Sequence, residues 1–388
     1  MAHSATRRAI IASRIFAPEP SAASFRLEAL ARALQSHGFE TTVLTSRYRD
    51  ARSAVEGGVD VRRARVLRDS SGYVRGYFNY LSFDVPLFFR LLVAKRPAFV
   101  VVEPPPTTGT VVRILCALRR IPYVAYAPDL WSDAMDAMDS PSLVKRVVRW
   151  MERKTYQSSS LALSVLPGIT QRLEKWIEPS RIATVGNGID TSTFSPSGKK
   201  QAVDGTYLLY AGTASEFQGA TIFLDAFELI AERHAHLRVV FVGQGSDFDL
   251  IRERATARRD DRILVVDRVS PTEASMWFRG ARAALVSIKP GQNYDFAIPT
   301  KIYASLASGV PVIFAGVGDA AHLIRENELG WVASFDAASV AEAMSSAVER
   351  PEDSDEARRL ADWAEHNASL SSVASRAVRA IEQQVRLD

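Results

Sequence analysis

The stretch DFAIPTKIYASLASGVPVIFAG, residues 295–316, decides the fold class of this chain. Its pattern predicts a helix that begins at Pro299 and is stopped by Gly309. A β-branched strand, Val310–Phe314, and a turn of small residues at 315–318 follow. A helix between parallel strands leaves free backbone N–H groups at its N-terminus, where they favour anions. Lys301 adds a positive charge, so the segment predicts a site for a phosphorylated ligand.

The composition narrows the class of protein. The chain has 388 residues, 47% of them hydrophobic, and a mean hydropathy near zero, which predicts a globular protein of two domains. The one cysteine, Cys116, lies in an apolar run and allows no internal disulfide, which suits a reducing compartment. No secretory signal is evident, and no apolar run approaches the ~20 residues of a membrane span. We therefore expect a cytoplasmic protein.

The charge is unevenly distributed. Residues 1–190 contain 27 Lys+Arg and 17 Asp+Glu, whereas the remainder contains 48 − 27 = 21 and 44 − 17 = 27. A basic half predicts an anionic partner such as a membrane surface or a pyrophosphate-bearing lipid. Nucleic acid is the weakest candidate, because the basic residues are scattered and no zinc, helix-turn-helix or RNA-binding signature is present.

Short apolar runs alternate with helical segments, and this alternation begins twice. Such runs are typical of parallel sheets covered on both faces. The join at 194–206 is rich in Ser, Gly, Lys and Pro, and the chain after about residue 336 reads as helical. We expect two doubly wound α/β domains, 1–198 and 199–365, with a helix at 366–388 that crosses back to the first. Ligands are expected at the carboxyl ends of the strands, in a cleft that the domains face. The predicted strands are 9–15, 41–45, 99–102, 123–126, 161–165 and 182–185, then 207–210, 238–242, 263–266, 283–288 and 310–314.

Several short motifs follow one another along the chain. They are PEPSAASFR (18–26), NYLSF (79–83), EPPP (103–106), DLW (129–131), NGID (187–190), YAGT (210–213), QG (218–219), GQG (243–245), PTK (299–301) and GVP (309–311). Singly the motifs are weak, but together they cover nearly the whole chain. In this order they resemble a known family, the retaining GT-B glycosyltransferases of family 4, and most of all the branch that transfers amino sugars or deoxysugars in bacterial polysaccharide synthesis.

The resemblance implies metal-independent transfer of a hexosyl unit from a nucleotide diphosphate sugar, usually a uridine one, with retention of anomeric configuration. It assigns the donor to the second domain and the acceptor, a soluble or polyprenyl-diphosphate-linked glycan, to the first. Basic groups and helix N-termini would stabilise the departing diphosphate, so no cofactor or metal is expected. Asp247 and Asp249 follow a glycine at the start of a helix, where acidic residues are ordinary caps, so we favour capping over metal binding.

The implied site has two catalytic candidates, Asp129 and Lys301. Asp129 follows a strand, where ligand contacts concentrate, although Asp after Pro is also a common turn residue. Asp133 could equally belong to one solvated helix face, and Trp131 could stack on a sugar or fill the core. The donor-binding candidates are Gly212, Thr213, Gln218, Gly219, Gly243, Asp295, Phe296, Pro299, Thr300 and Lys301. The acceptor-binding candidates are Ser21, Ser24, Arg26, Glu103, Trp131 and Asp133.

The chain departs from the family at two acidic positions. Most members carry two glutamates around the 299–308 helix, the second of which contacts the ribose; here they align with Phe296 and Ala304. The usual basic pair aligns with Thr213 and Gln218, and Asp295 could replace the first glutamate. Either the ribose is held differently, which we favour, or the protein binds a nucleotide sugar or a partner enzyme without transfer. This departure also weakens the assignment of a uridine donor.

The segment 73–94 is unusually aromatic and apolar, with arginine and lysine at its edges. It resembles an interfacial amphipathic element. A core helix with a neighbouring loop explains it at least as well. Together with the basic first half, it predicts transient contact with a membrane surface.

Overall fold

The computed structural model describes residues 7–19, 21–69, 74, 76–136, 141–258, 260–292, 294–351 and 353–385. The chain divides into two compact units, residues 1–186 with 370–388, and residues 187–369. The division falls before the join expected at 194–206. Phe194 explains this position, because it is buried in the second unit's core and meets Phe278 edge to face at 5.9 Å.

The strands form one sheet in each unit. In the first unit the order is β3-β4-β2-β1-β5-β6-β7-β8, and in the second it is β11-β10-β9-β12-β13-β14. The strands are β1 (Arg7–Ala12), β2 (Phe39–Ser46), β3 (Ala54–Glu56), β4 (Val59–Ala64), β5 (Phe99–Val102), β6 (Tyr123–Ala127), β7 (Leu161–Ser164), β8 (Ile182–Thr184), β9 (Thr206–Thr213), β10 (Leu237–Gln244), β11 (Ile263–Asp267), β12 (Ala283–Ser287), β13 (Val312–Ala315) and β14 (Gly330–Ala333).

The helices cover these sheets. They are α1 (Ala22–Ser36), α2 (Tyr77–Val93), α3 (Pro106–Arg119), α4 (Trp131–Asp136), α5 (Ser142–Ser158), α6 (Pro167–Leu173), α7 (Ile222–Ile230), α8 (Ser246–Arg258), α9 (Pro271–Gly280), α10 (Thr300–Ala307), α11 (Asp319–Glu326), α12 (Ala337–Glu349), α13 (Ser354–Ala368) and α14 (Leu370–Gln384). A 3₁₀ turn at Pro179–Arg181 precedes β8.

The pairing confirms two α/β domains with parallel sheets. β1 pairs in parallel with β2 and β5, and β9 with β10 and β12. An antiparallel partnership, β3 with β4, forms a hairpin that the sequence prediction missed. β3 is three residues long and exposed throughout, so it leaves little periodic signal, whereas β4 alternates apolar and polar residues at 59–62 and could have been predicted. The edge strand β14 was also missed; it is four residues long, and of its residues only Ala333 is buried.

The 295–316 segment folds almost as predicted. Pro299 caps α10, and Gly309 follows the helix with φ of 75°, a left-handed conformation that suits glycine. A side chain at this position would also press against Ala357 of α13, 3.0 Å from its carbonyl oxygen. The next strand begins at Val312, later than the predicted Val310, because the chain needs two further residues to leave the turn. Pro311 has no N–H to donate to the ladder.

The last helix belongs to the first unit. α14 packs on α1, and His37 Nδ1 lies 3.2 Å from Glu382 Oε2. Its buried residues, Val373, Ala377 and Ile381 among them, recur at helical spacing. The chain thus returns to the first unit at Leu370, four residues later than the expected boundary at 366.

Candidate functional site

Charged residues follow three neighbouring strands of the first sheet. Arg14 lies two residues after β1, Glu103 directly follows β5, and Asp129 lies two residues after β6. These strands are adjacent in the order β1-β5-β6 and run parallel, so their carboxyl ends share one edge. Sequence analysis identified Glu103 and Asp129 but missed Arg14.

A buried ion pair braces this edge. Arg26 of α1 donates to Glu103 Oε1 at 2.6 Å, and both side chains are almost fully buried. The guanidinium also lies over the Tyr126 ring, 5.1 Å from its centroid. Burial raises the pKa of Glu103, and the nearby Arg26 only partly offsets this. Glu103 Oε2 is buried without a hydrogen-bond partner among the described residues, so a polar group could still bind there.

Asp129 remains exposed where β6 ends. Surrounding protein raises the pKa of its carboxyl through desolvation, while the positive charges of Arg26 and Arg14 oppose the shift. An exposed carboxylate flanked by two arginines can orient a sugar hydroxyl or accept its hydrogen bond.

Aromatic rings surround Arg14. Its guanidinium lies 4.5 Å from the centroid of the Tyr80 ring and 5.7 Å from that of Trp131, and it donates to the Val74 carbonyl at 2.7 Å. Tyr80 and Trp131 meet edge to face at 6.0 Å. Trp131 is half-buried, so its ring contributes to this edge rather than to the core.

Glu152 holds Trp131 in place. Its carboxylate accepts hydrogen bonds from the backbone N–H groups of Trp131 at 2.6 Å and Ser132 at 2.9 Å. A carboxylate at these positions caps the start of α4. Burial raises the pKa of Glu152, and the hydrogen bonds oppose that shift. No local pattern indicated this role, because Glu152 lies on the distant helix α5.

The remaining acceptor-side candidates have structural roles or fall outside the described side chains. Ser21 caps α1 and accepts from Ser24 N at 3.1 Å, and the two hydroxyls lie 3.1 Å apart. Ser24 is buried. Asp133 lies in α4, but its side chain is outside the part that the structure describes.

Lys301 lies at the carboxyl edge of the second sheet. Its Nζ donates to the Thr213 carbonyl at 3.1 Å, at the end of β9, and lies 3.7 Å from the centroid of the Tyr210 ring. Desolvation lowers the pKa of Lys301 to about 7. The residue keeps intermediate exposure, so a ligand can reach it. An ammonium poised to change charge beside a helix N-terminus suits a diphosphate, which would restore its proton.

Two glycines bring backbone close together at this edge. Gly212 has φ of 118°, and a β-carbon there would touch Lys301 Cε at 3.5 Å. Gly243 has φ of 150°, and a β-carbon would lie 2.0 Å from the Gly212 carbonyl oxygen. Close packing of β9 on β10 therefore requires Gly243.

A hydrogen bond between two of its own residues stabilises the loop after β9. Gln218 is buried, and its Oε1 accepts from Ser215 N at 3.1 Å. Gly219 has φ of 61°, and a β-carbon there would lie 2.5 Å from Lys289 Cε. Lys289 follows β12 and supplies a second cation that sequence analysis missed. A charged residue just after a buried strand was the available signal.

The residues before α10 line the same edge. Asp295 accepts from Asp319 N through its carbonyl at 3.0 Å, and its Oδ1 is buried without a hydrogen-bond partner in the described structure. Ser287 Oγ, at the end of β12, is likewise buried and unpartnered among these residues. Phe217 stacks on Tyr294 with ring centroids 4.3 Å apart, whereas Phe296 is half-buried. Pro299 and Thr300 begin α10, and Ala304 is buried in the apolar core.

Other candidates proved structural. Asp247 lies in the first turn of α8, and its Oδ2 accepts from Ala220 N of the loop before α7 at 3.2 Å. Asp190 of the NGID motif accepts from Ser192 N and Thr193 N, which holds a turn. Among the described residues, no cluster of three or more His, Cys, Asp or Glu side chains is arranged to hold a metal.

Two family models match the chain in succession. The Glycosyl transferase 4-like domain matches residues 21–188, and the Glycosyl transferases group 1 domain matches residues 205–350. The chain belongs to the family 4 glycosyltransferases. The two matches include Glu103 and Asp129 of the first edge and the residues from Gly212 to Lys301 of the second, whereas Arg14 precedes the first match.

Known proteins agree with this placement. A D-inositol 3-phosphate glycosyltransferase of Catenulispora acidiphila is 29% identical over 207 residues, which are 49% of this chain and 46% of that protein. The chain thus spans less than half the length of the curated relatives it matches.

Solved structures share the fold. Sucrose-phosphate synthase of Thermosynechococcus elongatus superposes with a TM-score of 0.72 at 15% identity, covering 97% of this chain and 98% of that one. The Anabaena protein HepE, solved with UDP and glucose, gives a TM-score of 0.63 at 14% identity, covering 96% and 99%. At such identities the likeness shows the GT-B fold.

Proposed function

We propose that this family 4 glycosyltransferase moves a hexosyl unit from a nucleoside diphosphate sugar to a glycan acceptor, with retention of anomeric configuration and without a metal. The acceptor is soluble or linked to a polyprenyl diphosphate, and the product serves bacterial surface polysaccharide or glycoconjugate synthesis. The placement of Lys301 carries the proposal: a lysine at a helix N-terminus, with a depressed pKa, faces the Thr213 carbonyl.

The second unit would hold the donor. Lys301, the N-terminal amides of α10 and Lys289 supply positive charge for the diphosphate as it leaves. UDP bound to the fold neighbour HepE supports a uridine donor. Because the side chain of Ala304 has no hydrogen-bonding atom, the ribose must bind elsewhere. Asp295 keeps intermediate exposure and its Oδ1 has no hydrogen-bond partner within the described structure, and we assign the ribose to this carboxylate.

The first unit would hold the acceptor. Asp129 orients the attacking hydroxyl, Trp131 stacks on a sugar ring, and the Arg26–Glu103 pair holds the edge rigid. The leaving phosphate can take the hydroxyl proton itself, so positioning supplies most of the catalysis.

The test begins with calorimetry against uridine, guanosine, thymidine and adenosine diphosphates in chelator. We expect one to bind in the micromolar range, and Lys301→Met to weaken it while Lys200→Met, at an exposed lysine, does not. Asp129→Asn should keep nucleotide affinity but lose transfer, and proton NMR of the product should show retained configuration.

Two results would refute parts of this proposal. Inverted configuration would exclude retention. Nucleotide binding without donor hydrolysis or transfer to any acceptor would instead indicate a binding protein, the alternative that Phe296 and Ala304 raise.

A further inference from the structure

Three neighbouring helices of the first unit expose large apolar side chains. Helix α3 packs against both α2 and α5. We call the exposed sides of α2, α3 and α5, with the turns that follow α2 and α3, the three-helix face. Its apolar members are Phe78, Leu81, Val85, Phe89, Leu92, Val93, Ile114, Leu118, Leu143, Val147 and Trp150.

These residues recur at helical spacing. On α2, exposed side chains at 78, 81, 85, 89 and 92 are three or four positions apart, which aligns them along one side. Exposure reaches 82% for Phe78, 60% for Phe89 and 53% for Trp150. Exposed apolar patches of this extent mark interaction surfaces.

The charge on this face has one sign. The described parts of the three helices contain two carboxylates, Asp84 and Glu152, and both are 2% exposed. The basic residues of the helices and the turns that follow them are Arg90, Lys95, Arg96, Arg113, Arg119, Arg120, Lys145, Arg146, Arg149, Arg153 and Lys154. Within the described parts of these three helices and their turns, cations and no exposed carboxylate border the apolar stripe, while α4, which packs on α5, carries Asp136. Such a stripe is complementary to a surface with an apolar interior and anionic headgroups.

A second copy of the chain fits this face poorly. Apposing two such faces would place cations against cations with no exposed carboxylate of the described helices between them, and like charges across an interface are unfavourable. Within the described residues, no helix has the length and apolar character to span a membrane. We therefore expect the three-helix face to lie on the bilayer surface, with α2 and α5 in the headgroup region.

The face adjoins the acceptor-side edge. Tyr80 of α2 contacts Arg14 and Trp131, and α3 begins three residues after Glu103. We propose that the three-helix face docks on an anionic lipid bilayer, which brings a lipid-linked acceptor to this edge. The acceptor's nature rests on the proposed function, whereas the docking itself does not.

The experiment measures flotation of the purified full-length protein with vesicles, without donor or acceptor. We expect binding to phosphatidylcholine vesicles with about 30 mol% phosphatidylglycerol and almost none to phosphatidylcholine alone. Raising salt from about 0.1 M to about 0.5 M should weaken binding, because screening reduces the electrostatic part.

One set of variants tests the basic residues of the three-helix face, and a second set tests its apolar residues. The triple variant R146Q/R153Q/K154Q should lower the partition constant about 100-fold, at roughly fivefold per charge. Phe89→Ser with Trp150→Ser should lower it at least about tenfold through lost apolar contact. The matched controls are K199Q/K200Q and Leu229→Ser, exposed residues of the second unit, which should bind like the parent.

Three outcomes would overturn docking: no binding to anionic vesicles, equal loss in the controls, or a dimer in light scattering that the face variants abolish. If the face binds an acidic protein and not a bilayer, the anionic vesicles will stay unbound, which is the first of these outcomes. Nucleotide affinity, measured on the same samples, reports separately on the proposed function. Binding to vesicles without sugar transfer would leave docking intact and refute the function.

Discussion

The variant Lys301→Arg tests whether Lys301 takes up a proton when a nucleotide binds. Arginine keeps the positive charge at this position but does not titrate. Desolvation places the pKa of Lys301 at about 7, whereas an arginine stays protonated throughout the accessible range. A bound diphosphate favours the charged amine, so its pKa rises in the complex. Nucleotide binding should therefore take up protons in the parent and none at this position in the arginine variant.

The magnitude follows from the two pKa values. With a free pKa of about 7 and a bound pKa well above 9, uptake is about 0.1 proton at pH 6, about 0.5 at pH 7 and about 0.9 at pH 8. Affinity should fall as pH rises above 7, by up to about tenfold per unit, because the binding form is depleted. Lys301 keeps intermediate exposure, so water hydrates part of the ammonium and these values are upper limits.

The assay is titration calorimetry of the nucleotide diphosphate that binds, in buffers of different ionisation enthalpy. Measurements run from pH 7 upward, since a terminal phosphate itself titrates near about pH 6. Lys301→Met should lose affinity roughly 10- to 150-fold, the equivalent of about 1.5–3 kcal/mol for a hydrogen bond to a charged group. The arginine variant should bind with little dependence on pH.

One result would refute the reasoning. If the parent's enthalpy at pH 8 is the same in every buffer while Lys301→Met still loses affinity, the ammonium is already charged in the free protein. Lys301 would then be a fixed cation, and the desolvation at this edge would be too weak to displace its proton.

Three further experiments test the packing within each unit. Gly243→Ala should lower the free energy of unfolding in urea by at least about 2 kcal/mol, since its β-carbon would overlap backbone, whereas Gly57→Ala, at an open turn, should cost about 1 kcal/mol. Equal losses would show that φ alone matters. Arg26→Met should cost about 3–5 kcal/mol by stranding Glu103, and adding Glu103→Met should recover most of it in the same assay; no recovery would argue against a stranded charge. Burial raises the pKa of Cys116 to about 12, so a thiol reagent at pH 8 should modify the unfolded chain but not the native one, and rapid native labelling would contradict that burial.

Sequence analysis predicted the elements that local signals specify. Pro299 and Gly309 bound a helix because proline suits a first turn and glycine a left-handed stop, and neither effect needs distant residues. The position of Lys301 followed from that helix. The parallel sheets followed from repeated apolar runs. The short strands β3 and β14 left weak patterns and were missed, and β4 was missed although its residues 59–62 alternate.

The tertiary structure decided which distant residues act together. Arg14, Glu103 and Asp129 share an edge because β1, β5 and β6 are neighbours, and strand order depends on contacts that no local pattern encodes.

Helix α2 shows the same limit. The sequence alone left it as either a core helix or an interfacial one. The structure gives it one buried side, with Phe83, Leu87 and Leu91, and one exposed side, with Phe78 and Phe89, and leaves contact with a membrane as a prediction. Apolar spacing sets the sides of a helix, but only packing against α3 and the sheet determines which side meets water. Burial is a property of the assembled chain, and so is the charge that burial changes at Lys301.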